Sequence, residues 1–463
     1  MNNIPQANEN EKQIMRSIMN FVKKFKVMSD LKKANCYKES GIPVLSIFSY
    51  LLQLVYTKKS MYMNYQNGTH HPGFAKDVVY RFLNSMYINW QLFLVHLAGT
   101  IINTHLLGLT SENRINAIVI DDTFYGRLRS KCVELLANVH DHASKGSKFK
   151  KGFRMLTLGW TDGNTFIPLS FSLLSSEDKK NRYCEMKDGL NKHSVAYKRR
   201  KQAITKAPVV MLEMLKIVVK SGIQAKHVLF DSWFSYPATI IEIFELKLHT
   251  IARLKNSPKI KYLIDGEKKT LTQIYNANKK RRGKSKYLLS VAAEIYDQHD
   301  NNLPVMIVFA RDRNNRKKWI VLISTDMSLP EEEIIRIYGK RWSIEIFFKV
   351  CKSYLNLNKE FQCLSYDAMV AHTAIVLVRY IMLAVECRNK EDARTLGEIF
   401  YLAYDELQDI QFAESLAIIL KILEETLQEV LFLTDEQIRQ FIEAFILKLP
   451  EYLSRKLVQK KAS

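Results

Sequence analysis

The sequence predicts an α/β protein, with a mixed sheet at its centre and helical regions at both ends. Three observations carry this expectation. Two short apolar runs, Ile115–Ile120 (INAIVI) and His227–Phe230 (HVLF), each lead into acid, at Asp121-Asp122 and at Asp231. Helical stretches alternate with such runs between 208 and 254. The stretch Tyr338–Lys352 (YGKRWSIEIFFKVCK), placed on a helix of about 3.6 residues per turn, separates into two arcs. One holds Tyr338, Arg341, Glu345, Lys349 and Lys352. The other holds Ile344, Phe347, Phe348 and Cys351 and continues to Leu355. The apolar arc has to be buried. The polar arc offers a carboxylate, a phenol and cations that favour the ionised carboxylate and can hold a polyanion beside it. A solvated face with Arg341–Glu345 and Glu345–Lys349 pairs would show the same spacing, so the rest of the chain has to decide between the two.

The chain has 463 residues, enough for two to four domains. Its 47% hydrophobic and 25% charged residues are those of a globular protein, and its net charge of +22 points to a polyanionic partner. Nucleic acid is the first candidate and an anionic membrane surface the second; no basic amphipathic helix stands out to favour a membrane. The first residues, MNNIPQANENEKQ, lack the apolar core of a signal peptide. Val95–Leu109 and Ala371–Cys387 are apolar but contain His96, His105 and Arg379, and read as buried helices. Six cysteines without a C-x-x-C pair fit reduced thiols in the cytoplasm.

Taken in order, residues 11 to about 105 read as helices, clearest at Ile47–Thr57 and Trp90–Leu107, with scattered lysines. Ile115–Ile120 is the first strand, delivering acid at its end. Gly152–Trp160 and Thr165–Leu174 follow as strands joined by the turn Thr161–Asn164. Pro208–Val219 is a helix closed by Gly222, His227–Phe230 a strand, Pro237–Leu248 a helix and Thr250–Leu254 a fifth strand. Three antiparallel strands and then helix, strand, helix, strand is the order of the ribonuclease H-like fold, a fold analogy that carries no function by itself. Between 255 and 330, Tyr287–Tyr296, Val305–Phe309 and Trp319–Ser324 read as strands of a β-rich insertion, which also holds the basic cluster Lys279, Lys280, Arg281, Arg282, Lys284 and Lys286. The expected division is thus a helical DNA-binding region (1–109), the first part of the core (110–254), the insertion (255–330), the rest of the core with the helix at 338 (331–389), and an acid-rich helical tail (390–463) suited to a partner surface.

Two strand-end acids and one helix-face acid can converge in such a sheet. Three carboxylates in one place repel each other unless cations neutralise them, and hard oxygen donors select Mg²⁺ or Mn²⁺. Two such ions can clamp an in-line phosphoryl displacement. Each acid alone has a simpler use, as a turn or helix cap.

On these residues the chain resembles the DDE transposases of bacterial cut-and-paste insertion sequences, and is most similar to the branch with a β-rich insertion and a Y-x2-R-x3-E-x6-K signature. Here that signature is Tyr338, Arg341, Glu345 and Lys352, with the acid blocks IVIDDT and LFDSWF before it. The resemblance covers roughly 110 to 390. It implies an Mg²⁺-dependent enzyme (Mn²⁺ as substitute) with two metal ions on Asp121 or its neighbour Asp122, Asp231 and Glu345. It also implies that Tyr338, Arg341 and Lys352 hold phosphates and a displaced base near the cut, and that Trp319, in the strand KWIVL, stacks on that base. The implied reaction nicks the element end, closes and reopens a hairpin, and inserts the end into target DNA. The partners would be double-stranded DNA, as element ends and target, and a second copy of the chain on that DNA, in a bacterial cytoplasm at the nucleoid. A catalytically idle DNA-binding derivative and a structure-specific nuclease of the same fold are the alternatives.

The apolar strand ends at Asp121, which favours Asp121 over Asp122 as the first ligand. The triplet His140-Asp141-His142 lacks a second ligand pair and reads as a turn, a phosphate contact or a stretch without a role, rather than a zinc site. In a chain this basic, the runs Lys145–Lys151 and Lys198-Arg199-Arg200-Lys201, with Lys349, Lys279, Arg281 and Arg282, are expected to contact the DNA backbone.

Overall fold

The computed structural model describes residues 4–57, 60–66, 72–110, 114–141, 149–281, 287–299, 301–311, 318–388 and 434–448. The chain falls into two units, Met1–Ala393 and Arg394–Ser463.

The first unit is built on a sheet with eleven strands among the described residues: β1 (Ala117–Gly126), β2 (Ala137–His140), β3 (Phe149–Thr161), β4 (Phe166–Leu174), β5 (His227–Phe230), β6 (His249–Arg253), β7 (Tyr262–Ile264), β8 (Glu267–Lys269), β9 (Tyr287–Tyr296), β10 (Asn302–Arg311) and β11 (Trp319–Ser324). The path β4-β3-β1-β5-β6 is the ribonuclease H-like order. β1 pairs antiparallel with β3 and β3 with β4, whereas β1–β5 and β5–β6 are parallel. Residues 117–120 of β1 and all of β5 are buried, as expected of strands covered on both faces. Pro168, which cannot donate to a ladder, lies on β4, a strand that pairs with β3 off the main path of the sheet. The turn after β3 is held by Asp162, whose Oδ1 accepts from the amides of Asn164 and Thr165, both at 2.8 Å, while Gly163 takes a φ of 100°.

One difference from the sequence reading matters. β1 does not stop at its acids. It continues through Asp121 and Asp122 to Gly126, because β3 keeps pairing with it over that whole length. The sequence leaves open how the β-rich insertion is attached; in the structure β11 pairs antiparallel with β6, Leu322 opposite Arg253, so its strands continue the central sheet as β11-β10-β9-β7-β8. The short hairpin β7–β8 and the helix Leu271–Ala277, opened by a Thr270–Gln273 capping box, are further parts of it.

The N-terminal residues are helical as expected: α1 (Ile4–Lys24), α2 (Val27–Lys33), α3 (Val44–Gln53), α4 (Met61–Gln66), α5 (Lys76–Leu83) and α6 (Trp90–Ile101). They share one core with the sheet. α6 packs on β4, and the long helix Tyr366–Cys387 packs on α3, α5, α6 and β4. That long helix and the stretch Trp90–Leu109 are apolar and long enough to cross a membrane by composition; the former is 83% buried inside the fold. Its Arg379, fully buried, reaches Glu360 at 3.0 Å. The helices Val195–Ala203, Ala207–Lys220 and Pro237–Glu245 connect the strands of the core. In the second unit the described residues form the helix Asp435–Lys448. The remainder of the acid-rich tail lies outside the described residues.

Candidate active site

The stretch that begins at Tyr338 is two helices rather than one. Glu331–Gly339 ends in a tight turn, with Lys340 N–H bonded to Ile337 O and Arg341 N–H to Tyr338 O, both at 3.0 Å, and Trp342–Ser353 starts from there. Lys340 and Arg341 at the junction keep a right-handed helical backbone, so hydrophobic periodicity runs through it unbroken. The apolar arc of Ile344, Phe347, Phe348, Cys351 and Leu355 is buried, against β1, β4 and the long helix Tyr366–Cys387. This packing turns the polar arc toward β1.

Arg341 is the centre of the site. Its Nη1 donates to Asp121 Oδ2 at 2.8 Å and its Nη2 to Glu345 Oε1 at 2.6 Å, so one guanidinium joins the strand acid to the helix acid. Its side chain is 12% exposed, against 38% for Glu345. Burial works against the charge on Arg341, but Tyr338, Asp121 and Glu345 hold its pKa above the ordinary arginine value. Asp231 follows β5. The last parallel pair of β1 and β5 is Val119 with Leu229, two residues before Asp121 and Asp231 respectively, so these acids leave the ladder level with each other. Burial pushes the Asp121 carboxyl up to about 7; Asp231 and Glu345 add to the shift, and Arg341 and Arg154 oppose it. Burial likewise pushes the Tyr338 phenol up to about 12, with Asp231 contributing and Arg341 and Arg253 opposing. Lys352 donates to Thr123 Oγ1 at 2.6 Å, two residues further along β1. Tyr338, Arg341, Glu345 and Lys352 therefore gather along the polar end of β1, with Asp231 beside them. Lys349 is exposed on the same helix.

Asp122 is engaged by a second cation at the edge of the site, Arg154, which also acts on Asp121 and Asp231. Neighbouring strand residues alternate faces, and Asp122 pairs with Arg154 of β3, whose guanidinium lies 4.8 Å from the ring of Trp233. Arg154 and Trp233 were not among the residues the sequence singled out. The signal was a lone charge in the apolar run GFRMLTLGW and an indole two residues after the second acid. Trp233 is 40% exposed, and its amide donates to Asp231 Oδ1 at 2.8 Å.

Asp121, Asp122, Asp231 and Glu345 do not stand as a ready-made metal cluster. Among the described residues no group of three or more His, Cys, Asp or Glu side chains is set to hold an ion. The physical reason is that Arg341 occupies the space between Asp121 and Glu345, and Arg154 takes Asp122. The donor chemistry itself fits a hard divalent cation: Asp231 and Glu345 add to the cost of charge on Asp121, and all three offer carboxylate oxygens.

Several expected DNA contacts lie elsewhere. Arg199 and Arg200 are a correction: both are buried in an ion-pair network. Arg200, 1% exposed, holds Glu134 at 2.6 and 2.9 Å and Asp367 at 3.0 and 2.8 Å, while Arg199 pairs with Asp367 at 3.1 Å. They hold the helix Val195–Ala203 against the long helix Tyr366–Cys387. Asp141 pairs with Lys150 at 2.8 Å, and Lys151 lies 4.5 Å from the Tyr183 ring. His142, Lys145 and Lys148 lie outside the described residues. In the insertion Lys279 is exposed, and Arg281 is exposed with its guanidinium 4.5 Å from the Tyr287 ring; Arg282, Lys284 and Lys286 lie outside the described residues. Trp319 is half-buried, stacked on Tyr275 at 5.1 Å and edge-on to Phe309 at 5.2 Å.

Two family models match the chain. One, described as DDE superfamily endonuclease, matches residues 54–261, and the other, described as Transposase DDE domain, matches residues 188–382. The first match contains Asp121 and Asp231, the second Asp231 and Glu345. No curated protein matches the chain.

Proposed function

The chain belongs to the DDE transposases, enzymes that act on DNA, and from that premise we propose that it excises an element by Mg²⁺-dependent phosphoryl transfer at Asp121, Asp231 and Glu345, passing through a hairpin, and joins the freed end to target DNA. The observation that carries the reading is the convergence on one guanidinium: acids from β1 and from the helix Trp342–Ser353 meet at Arg341, level with the acid that follows β5. Asp121, Asp231 and Glu345 would hold two divalent ions, Mg²⁺ or Mn²⁺ in its place, which supply charge stabilisation to the attacking and leaving oxygens of an in-line displacement. Asp121 rather than Asp122 is the first ligand, because Asp121 shares the register of Asp231 while Asp122 is committed to Arg154.

The chain's own groups do the rest. Arg341 and Lys352 hold phosphates at the polar end of β1, with Lys349 on the outer turn and Tyr338 walling the acids from solvent. Lys279, Arg281 and Arg282 carry the backbone of the flanking duplex on the insertion, and Trp319 receives a displaced base there. Two copies bring the element ends together, the tail after 390 making the contact, and the reaction takes place in the cytoplasm on nucleoid DNA.

The test is cleavage of labelled duplex carrying the flanking terminal repeats, with purified protein and Mg²⁺. Asp121→Asn, Asp231→Asn and Glu345→Gln should each lower nicking by orders of magnitude while duplex binding survives, because each removes a ligand to the charge that stabilises the transition state. Asp122→Asn should retain most of the rate. Near wild-type cutting by Asp231→Asn or Glu345→Gln would end the proposal. A strand-transfer product separates a transposase from a nuclease that only cuts.

A further inference from the structure

We infer that Arg341 is the site's built-in counter-cation, and that its release from Asp121 and Glu345 couples divalent-metal binding to DNA binding. The inference rests on the proposed metal role of the three carboxylates. Arg341 spans the two acids through different nitrogens, at 2.8 and 2.6 Å, and is more deeply placed than Glu345. A cation entering between these oxygens meets a guanidinium already there. The bridge is also incomplete, because the buried Nε of Arg341 has no hydrogen-bond partner among the described residues, and an unmet buried donor carries a cost. It lies at the turn between two helices, directly after Gly339-Lys340, with the rings of Tyr338 and Trp342 at 5.9 and 5.7 Å, within reach of a guanidinium that leaves the carboxylates.

Displacement alone would strand a partly buried cation, which is unfavourable. A DNA phosphate removes that penalty, since a guanidinium binds phosphate through two parallel N–H groups and would engage the nitrogen that the bridge leaves idle. Metal and DNA therefore favour the same arrangement of one side chain. Linkage makes the effect reciprocal: each ligand tightens the other by the same factor. Arg341 acts as a positioning residue that keeps the acids neutralised until substrate arrives.

The experiment is Mn²⁺ binding to the full chain, followed by the loss of free Mn²⁺ spin signal, with and without mixed-sequence duplex DNA. For the wild type, Mn²⁺ should bind weakly alone and about tenfold more tightly with duplex, within the usual range of coupling. Arg341→Ala should bind Mn²⁺ more tightly without DNA, and duplex should then add much less. Loss of a positive charge by itself would tighten Mn²⁺ but leave the DNA-induced factor intact, so an undiminished factor in Arg341→Ala overturns the inference. Arg341→Lys serves where the alanine variant does not fold. An ammonium reaches one carboxylate at a time, so its Mn²⁺ affinity without DNA should exceed the wild-type value, and an unchanged affinity overturns the inference. Adding Glu345→Gln to either variant separates the two readings. If it leaves Mn²⁺ binding unchanged, the carboxylates are not the ligands and the functional proposal fails. If it weakens Mn²⁺ binding while the DNA factor is undiminished, only the role of Arg341 fails.

Discussion

Asp121 combines burial, two neighbouring carboxylates and a shared guanidinium, and this makes it costly to the fold as well as useful. Its folded carboxyl lies near 7 against an ordinary 3.8, so the folded chain holds this proton more firmly than the unfolded one. The stabilisation from that group is fully present below 3.8 and is lost as pH rises to about 7. Asn does not ionise. In chelator-treated protein, Asp121→Asn should therefore gain on the wild type across that window, by about 2–4 kcal/mol, while losing cleavage. Denaturant midpoints at several pH values measure it, and a difference that does not change with pH would refute the environment assigned to Asp121. The acids and the polar arc stood out in the sequence because apolar runs give way to Asp121-Asp122 and to Asp231, and helical spacing groups Tyr338, Arg341, Glu345 and Lys352; that β1 runs on to Gly126 was set by its pairing with β3. The fate of Arg199 and Arg200 was not legible. A basic run in a sequence carries no sign of its partners, and Glu134 and Asp367 lie 66 and 167 residues away from Arg200. Arg154 was hidden for the same reason: its partner is set by strand register, 32 residues away.

At the scale of elements, β5, β9 and β11 lie where their apolar runs place them, because short β-branched and aromatic runs bounded by polar residues leave little choice. The four-residue β2 and the basic helix Val195–Ala203 had no such pattern; tertiary contacts form both. The junction at Gly339–Arg341 was hidden because one turn of bonds spanning three residues keeps a right-handed helical backbone and shifts the apolar pattern little. Trp319 shows how an element divides the duties of one residue. Its stack on Tyr275 and Phe309 contributes to the insertion, and the proposed base contact would fall to the part of the half-buried indole that these rings leave. Trp319→Ala should cost ~1–3 kcal/mol of stability, leave first-strand nicking largely intact, and lower hairpin yield ten- to a hundredfold, roughly the worth of one stacked base. Melting temperature, nicking and hairpin yield from a single preparation decide between the duties. Equal losses of nicking and hairpin would reduce Trp319 to packing.

For the whole molecule, a net charge of +22 implies that DNA affinity falls by roughly a thousandfold between about 50 and 200 mM salt, as expected when several phosphates are neutralised. A nearly flat log–log plot would point to another partner. In the proposed function the second unit has a role in assembly. Its described helix Asp435–Lys448 leaves Phe441 and Phe445 exposed, an unusual pair for a helix with no partner to meet. Deleting 390–463 should leave single-end binding in gel shifts and abolish paired-end complexes; pairing by the truncated chain would move the contact elsewhere. The joining of β11 to β6 has a practical consequence for anyone recombining these proteins. The insertion cannot be exchanged as a cassette hung on two flexible tethers, because it is woven into the same fabric as the strand that precedes Asp231. A hybrid must keep Leu322 opposite Arg253. A slip of one residue would turn every β11 side chain to the opposite face, carrying Trp319 to the reverse side of the sheet from Tyr275.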